Sequence, residues 1–119
     1  MYSAQLLDHF EHPRNAGEIA DADAAIQLEN PVCGDVLRLS LKTSDERITA
    51  VRFQAKGCVA SMACASALTE LVWGKTFAEA RSLRRDELIA AVGGLPQAST
   101  HAAQLAIDTL SAALDELKA

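Results

Sequence analysis

The chain reads as an α+β domain in which helices pack on one face of a small antiparallel sheet. Three observations predict this. The element order is one helix, then strands, then a run of helices. Two runs that alternate apolar and polar residues flank a short polar turn, the pattern of an antiparallel hairpin. The segment after the hairpin is almost wholly small and apolar, as a helix buried on nearly all faces should be. At 119 residues, half of them apolar, the chain fits a single domain spanning 1–119 with material for a real core.

The elements follow in order. Residues 2 to 12 read as a short amphipathic helix, with Leu6, Leu7 and Phe10 at helical spacing, Ser3 as cap and Pro13 as stop. Residues 14 to 24 form a polar loop holding Gly17, and 25 to 30 a first strand. In residues 35 to 42, Leu37, Leu39 and Leu41 alternate with polar neighbours, so this is a half-buried strand. Ser44-Asp45-Glu46 supplies the turn. Residues 48 to 56 alternate again, with Val51, Phe53 and Ala55 facing one way and Arg52, Gln54 and Lys56 the other. After Gly57, residues 58 to 73 form the buried helix, ended by Gly74. Thr76 to Ala80 makes a helical turn, 84 to 92 another helix, and Gly93-Gly94 stops it. The last helix runs from about Ser99 to Leu117, capped by Ser99 or Thr100, with Leu105, Ala106, Leu110, Ala113, Leu114 and Leu117 on its apolar face.

Composition excludes several classes of function. A net charge of -5 speaks against nucleic acid, whose phosphates call for clustered Lys and Arg. The one basic cluster, Arg81, Arg84 and Arg85, lies among Glu79, Asp86 and Glu87 and reads as a solvated segment. No run reaches the ~20 apolar residues that cross a membrane, and Met1-Tyr2-Ser3 followed by Asp8 and Glu11 is not a signal peptide. The expectation is a cytoplasmic protein in a reducing compartment. Three cysteines there are not a disulfide framework; they are packing groups or chemistry.

Four residues stand out for chemistry. Cys33 and Asp35 flank Gly34 before a strand, and extended chain directs residues two apart to one side. Cys58 joins a strand to the first turn of a helix, where the dipole and free N–H groups favour thiolate. His101 opens the last helix, where a neutral, metal-ready ring is favoured. Read singly, these fit an ordinary turn, a buried cysteine among alanines and a surface histidine equally well. Together they make two thiols, a carboxylate and an imidazole at the ends of elements that can meet at one edge, a donor set for zinc or an iron–sulfur cluster. Cys64 follows Cys58 by six residues, about 240° around the helix and about 9 Å along it, so it belongs to the core. Met62 and Trp73 read as core or edge packing. His9 and His12 form a metal pair or, more simply, part of a solvated face.

The residues also resemble a known family. The segment Asp8-His9-Phe10-Glu11-His12-Pro13-Arg14-Asn15-Ala16-Gly17 is similar to the N-terminal signature of the IscU/NifU N-terminal family of iron–sulfur cluster assembly scaffolds. Asn30-Pro31-Val32-Cys33-Gly34-Asp35-Val36, Gly57-Cys58 with its helix, and Leu95-Pro96 followed by His101 resemble its three ligand segments, in the same order. The resemblance implies a three-stranded antiparallel sheet with packed helices. It implies a non-enzymatic scaffold that binds iron or zinc and builds a transient [2Fe–2S] cluster for transfer to acceptor proteins. The implied partners are a cysteine desulfurase and a frataxin-like protein, and the implied ligands are Cys33, Asp35, Cys58 and His101. Two departures stand out. The family's third cysteine, directly after the histidine, is Ala102 here. Leu95-Pro96-Gln97-Ala98-Ser99 also departs from the family's chaperone-recognition segment, which speaks against an Hsp70-type partner.

Two other readings stay open. One is a divergent member that binds zinc or no metal and acts as an accessory to the desulfurase. The other is a thiol enzyme with Cys33 or Cys58 as nucleophile and His101 as base, although the sequence offers it no evident oxyanion hole.

Overall fold

The structure, a computed structural model, describes residues 2–31 and 34–117. Helix α1 (Ala4–Glu11) opens on Ser3, whose Oγ accepts from the Leu6 N–H at 3.0 Å. Strands β1 (Ala24–Glu29), β2 (Val36–Ser44) and β3 (Arg47–Lys56) form an antiparallel sheet in the order β1-β2-β3. Asp45 and Glu46 form the tip of the second hairpin. Both take left-handed φ, 53° and 59°, which matches the turn to the twist of the flanking strands.

Register decides what the sheet buries. Leu37, Leu39 and Leu41 stand opposite Ala55, Phe53 and Val51 on one side and Leu28, Ile26 and Ala24 on the other. Side chains on one face of a sheet recur every second residue, so these rows share a face. Leu39, Leu41 and Val51 are fully buried there. The other face carries Arg38, Lys42, Arg52 and Lys56. Helices α2 (Val59–Val72) and α5 (Thr100–Leu117) cover the apolar face. Helix α2 brings Ala60, Ala63 and Ala67, small enough for close approach, and the fully buried Leu68. Helix α5 brings Ala103, Leu110 and Leu114. Each fully buried leucine contributes about 1.5–3 kcal/mol.

Short elements close one end. Helix α3 (Phe77–Arg81) is held by a reciprocal cap, in which Thr76 Oγ1 accepts from the Glu79 N–H and Glu79 Oε1 from the Thr76 N–H. At helix α4 (Arg85–Ala91), Glu87 Oε1 accepts from the Arg84 N–H at 2.9 Å. Arg81, Arg84 and Arg85 are exposed and engage Asp115, Asp86 and Gln104 respectively, as a solvated segment should.

Four local expectations change. The last helix is preceded by a separate 3₁₀ turn (Gln97–Ser99), and Thr100 donates back to the Gln97 carbonyl at 3.0 Å instead of capping forward. Residues 15 to 17 are bonded to β3: the Phe53 N–H donates to the Asn15 carbonyl, and the Gly17 N–H to the Phe53 carbonyl. Leu7, expected on the apolar face of the first helix, is 41 % exposed; Trp73, also 41 % exposed, takes the edge place of the two readings the sequence left open. His9 is not solvated. It is 8 % exposed, with Nδ1 2.8 Å from Ser66 Oγ on α2 and Nε2 3.5 Å from Glu70. The α1 register turns Leu6 and His9 inward together, so His9 makes no metal pair with exposed His12. Among the described residues, no helix is long and apolar enough to cross a membrane.

Candidate metal centre

The β2–β3 ladder sets the site. Val36 pairs with Lys56, so Asp35 and Gly57 lie one step beyond the paired rung, at the end where α2 begins. The loop before β2 is closed at its base, where the Asn30 N–H donates to the Asp35 carbonyl and the Gly34 N–H to the Asn30 carbonyl. Gly34 has φ +76, the left-handed turn its sequence position calls for. Cys33, the first of the four expected ligands, lies outside the described residues.

Gly57 has a second reason to lack a side chain. Its φ is +141, and a Cβ placed on it would stand 2.1 Å from Asp35 Oδ1. The carboxylate therefore occupies the space a side chain at position 57 would fill. From there Oδ1 accepts from the Cys58 N–H at 3.2 Å.

Cys58 stands one residue before the helix instead of within its first turn. It is the N-cap of α2, with extended φ and ψ of -78° and 164°, and its sulfur accepts from the Ser61 N–H at 3.4 Å. A capping side chain turns back over the open N–H groups of the helix, which is why Sγ is held in place. The thiol donates to Asp35 Oδ2 at 3.4 Å.

His101 arrives from α5. Its Nδ1 lies 3.1 Å from the Ala98 carbonyl, which can only accept, so the proton of the neutral ring belongs on Nδ1. In that tautomer Nε2 has a lone pair for a metal, whereas the protonated ring donates from Nε2 to Asp35 Oδ2, 3.3 Å away. The imidazole is about one-third exposed and the Asp35 side chain nearly buried. Solvent thus reaches the centre from the histidine side.

Asp35, Cys58 and His101 each offer one ligand atom, and these atoms all lie within 4.8 Å of one another. With metal–donor bonds of about 2.0–2.3 Å, tetrahedral ligands stand about 3.3–3.8 Å apart. The observed 3.3 and 3.4 Å separations from Oδ2 fall in that range. Sulfur, carboxylate oxygen and ring nitrogen suit zinc or an iron of an iron–sulfur cluster.

The remaining cysteine stands apart. Cys64 is fully buried within an unbroken α2, and burial pushes its thiol up to about 12. Ala102, at the position next to His101, is also buried. Sequence reasoning missed Ser61, whose Oγ donates to Asp35 Oδ2 at 2.5 Å and lies 3.3 Å from Cys58 Sγ. Its signal was the three-residue spacing from Cys58, which brings a helical residue back over its own N-cap.

A family model described as the NifU-like N terminal domain matches residues 1–119. The Archaeoglobus fulgidus protein named iron-sulfur cluster assembly scaffold protein IscU 1 is 45% identical over 114 residues, covering 96% of this chain and 74% of that protein. The protein named iron-sulfur cluster assembly scaffold protein IscU in Escherichia coli K12 is 36% identical over 121 residues, covering 98% of this chain and 94% of that one. Among solved structures, the N-terminal part of a nitrogen-fixing NifU-like protein from Brucella abortus matches with a TM-score of 0.80 at 20% identity, over 98% of this chain and 93% of that one, a likeness of fold. On the match along its whole length and the identity to these relatives, the chain belongs to the IscU/NifU-like scaffold family, the NifU-like N-terminal domains.

Proposed function

We propose that this chain is an iron–sulfur cluster assembly scaffold working in the cytoplasm. The observation that carries the reading is the meeting of Asp35, Cys58 and His101, from three separate elements, within 4.8 Å. Relatives named as scaffolds support it. Cys33 completes the donor set. Two thiolates and a carboxylate bring about -3 charges, which a divalent or cluster cation offsets. Iron and sulfur are cargo: a cysteine desulfurase supplies sulfur, a frataxin-like protein assists, and a transient [2Fe–2S] cluster passes to acceptor proteins. Zinc competes for the same donors.

The test is anaerobic addition of ferrous iron and sulfide, followed by visible absorption. Wild type gains charge-transfer bands; Cys33→Ser, Cys58→Ser and His101→Ala lose them. Equal loading of wild type and Cys33→Ser would overturn the ligand set.

Buried Ala102, at the place of the family's third thiol, favours a second reading. In it the chain binds zinc or no metal and serves the desulfurase as an accessory. Capture of the desulfurase together with no cluster under any loading condition selects this reading over the first.

A further inference from the structure

Hydroxyls buried on helices usually return to their own backbone. Two here do so: Thr69 donates to the Ser66 carbonyl at 2.7 Å and Thr109 to the Leu105 carbonyl at 2.7 Å. Ser61 is also buried, 5 % exposed, yet its hydroxyl leaves the helix, as that of Ser66 does toward His9. It donates to Asp35 Oδ2 at 2.5 Å and stands 3.3 Å from Cys58 Sγ. Its backbone N–H also points to that sulfur, at 3.4 Å.

From this geometry we infer that Ser61 is a positioning residue of the metal centre, orienting the Asp35 carboxylate and supplying a hydrogen bond to the Cys58 sulfur. The inference rests on the ligand set proposed above. A serine hydroxyl has one proton to give. In the structure Asp35 Oδ2 takes it, while the thiol of Cys58 donates to that same oxygen. Metal binding removes the thiol proton. The sulfur then becomes an acceptor, and the hydroxyl can serve either atom by rotating about one bond. Because Ser61 is buried, water competes poorly for either contact. In one rotamer the hydroxyl holds Oδ2 toward Cys58 and His101; in the other it donates to the bound sulfur and draws electron density from it.

The probes are zinc and cobalt(II). Zinc affinity is measured by competition with a chromophoric chelator, and the sulfur-to-cobalt charge-transfer band by absorption. Ser61→Ala is expected to weaken zinc about tenfold or more. It is also expected to move the cobalt band to longer wavelength, because an unbonded thiolate gives up charge more readily. Ser61→Thr keeps the hydroxyl and restores the band. Melting of the metal-free proteins separates stability from ligation. A Ser61→Ala protein that melts lower yet binds zinc and shows the cobalt band as wild type does would overturn the inference. If wild type builds no [2Fe–2S] cluster but shows a cobalt band that responds to Ser61, the scaffold reading fails and the role of Ser61 stands. If wild type gives no thiolate-to-cobalt band at all, both fail.

Discussion

Replacing Gly57 by alanine tests the seat of the Asp35 carboxylate directly. The new Cβ would stand 2.1 Å from Oδ1, 2.7 Å from Cγ and 3.1 Å from the Asp35 Cα. Ordinary non-bonded contact requires the carboxylate to retreat by more than about 1 Å. The nearby Cα leaves it little room to pivot, so the side chain is evicted. Two costs follow. An alanine at φ +141 adds about 1–3 kcal/mol of backbone strain. Loss of an acceptor for the partly buried Cys58 N–H adds about 1–3 kcal/mol. The sum is about 2–6 kcal/mol, read as a lower urea midpoint. Only the second cost depends on the carboxylate. In an Asp35→Ala background the same glycine replacement should therefore cost the backbone term alone, leaving a coupling of about 1–3 kcal/mol in a four-way cycle. A coupling within about 0.5 kcal/mol of zero would refute the steric argument.

Three further predictions concern the histidine, the buried thiol and the missing one. Burial, then the Arg14 charge, hold the pKa of His9 below its usual 6.5, against the opposing pull of Glu70 and Asp8. The unfolded chain thus takes up this proton first. The contribution is complete above about pH 6.5 and is lost as pH falls through the lower folded value; urea midpoints between pH 7.5 and 5.5 should drop more for wild type than for His9→Gln. Cys64, at about 12, carries thiolate in about one molecule in ten thousand at pH 8, so iodoacetamide should label it only after unfolding while Cys58 reacts in the folded protein. Ala102→Cys adds a sulfur beside His101 at an overpacking cost of up to about 1–3 kcal/mol, and a reconstituted cluster should bleach more slowly in it than in wild type. Equal bleaching would dissociate Ala102 from cluster lifetime.

What could be read from the sequence depended on range. Leu37, Leu39 and Leu41 announce their strand because alternation is a local signal, and the hairpin tip at Asp45 and Glu46 lies between two such runs. Cys64 falls in the core by helical rotation alone. Cys58, one residue off its expected place, still sits at the strand–helix junction. His9 was misread because its partners, Ser66 and Glu70, belong to another helix. The pairing of Asn15 and Gly17 with Phe53 was equally hidden, since it joins parts of the chain more than thirty residues apart. Ser61 looked like one more small residue among alanines. Its meaning lies in Asp35, 26 positions earlier. Periodicity reports which face a residue occupies, not which distant group waits there.

The antiparallel pairing of β2 with β3 also says where this molecule tolerates a change of length. Asp35 and Cys58 sit at the open end of that hairpin, and the bend at Asp45 and Glu46 closes the far end. Residues added at the bend enlarge it and leave the rungs near Val36 and Lys56 matched. One residue inserted within either strand slides its partner by about 3.3 Å and reverses its faces. The sulfur and the carboxylate would then part company, and the displaced strand would turn its apolar row away from the core.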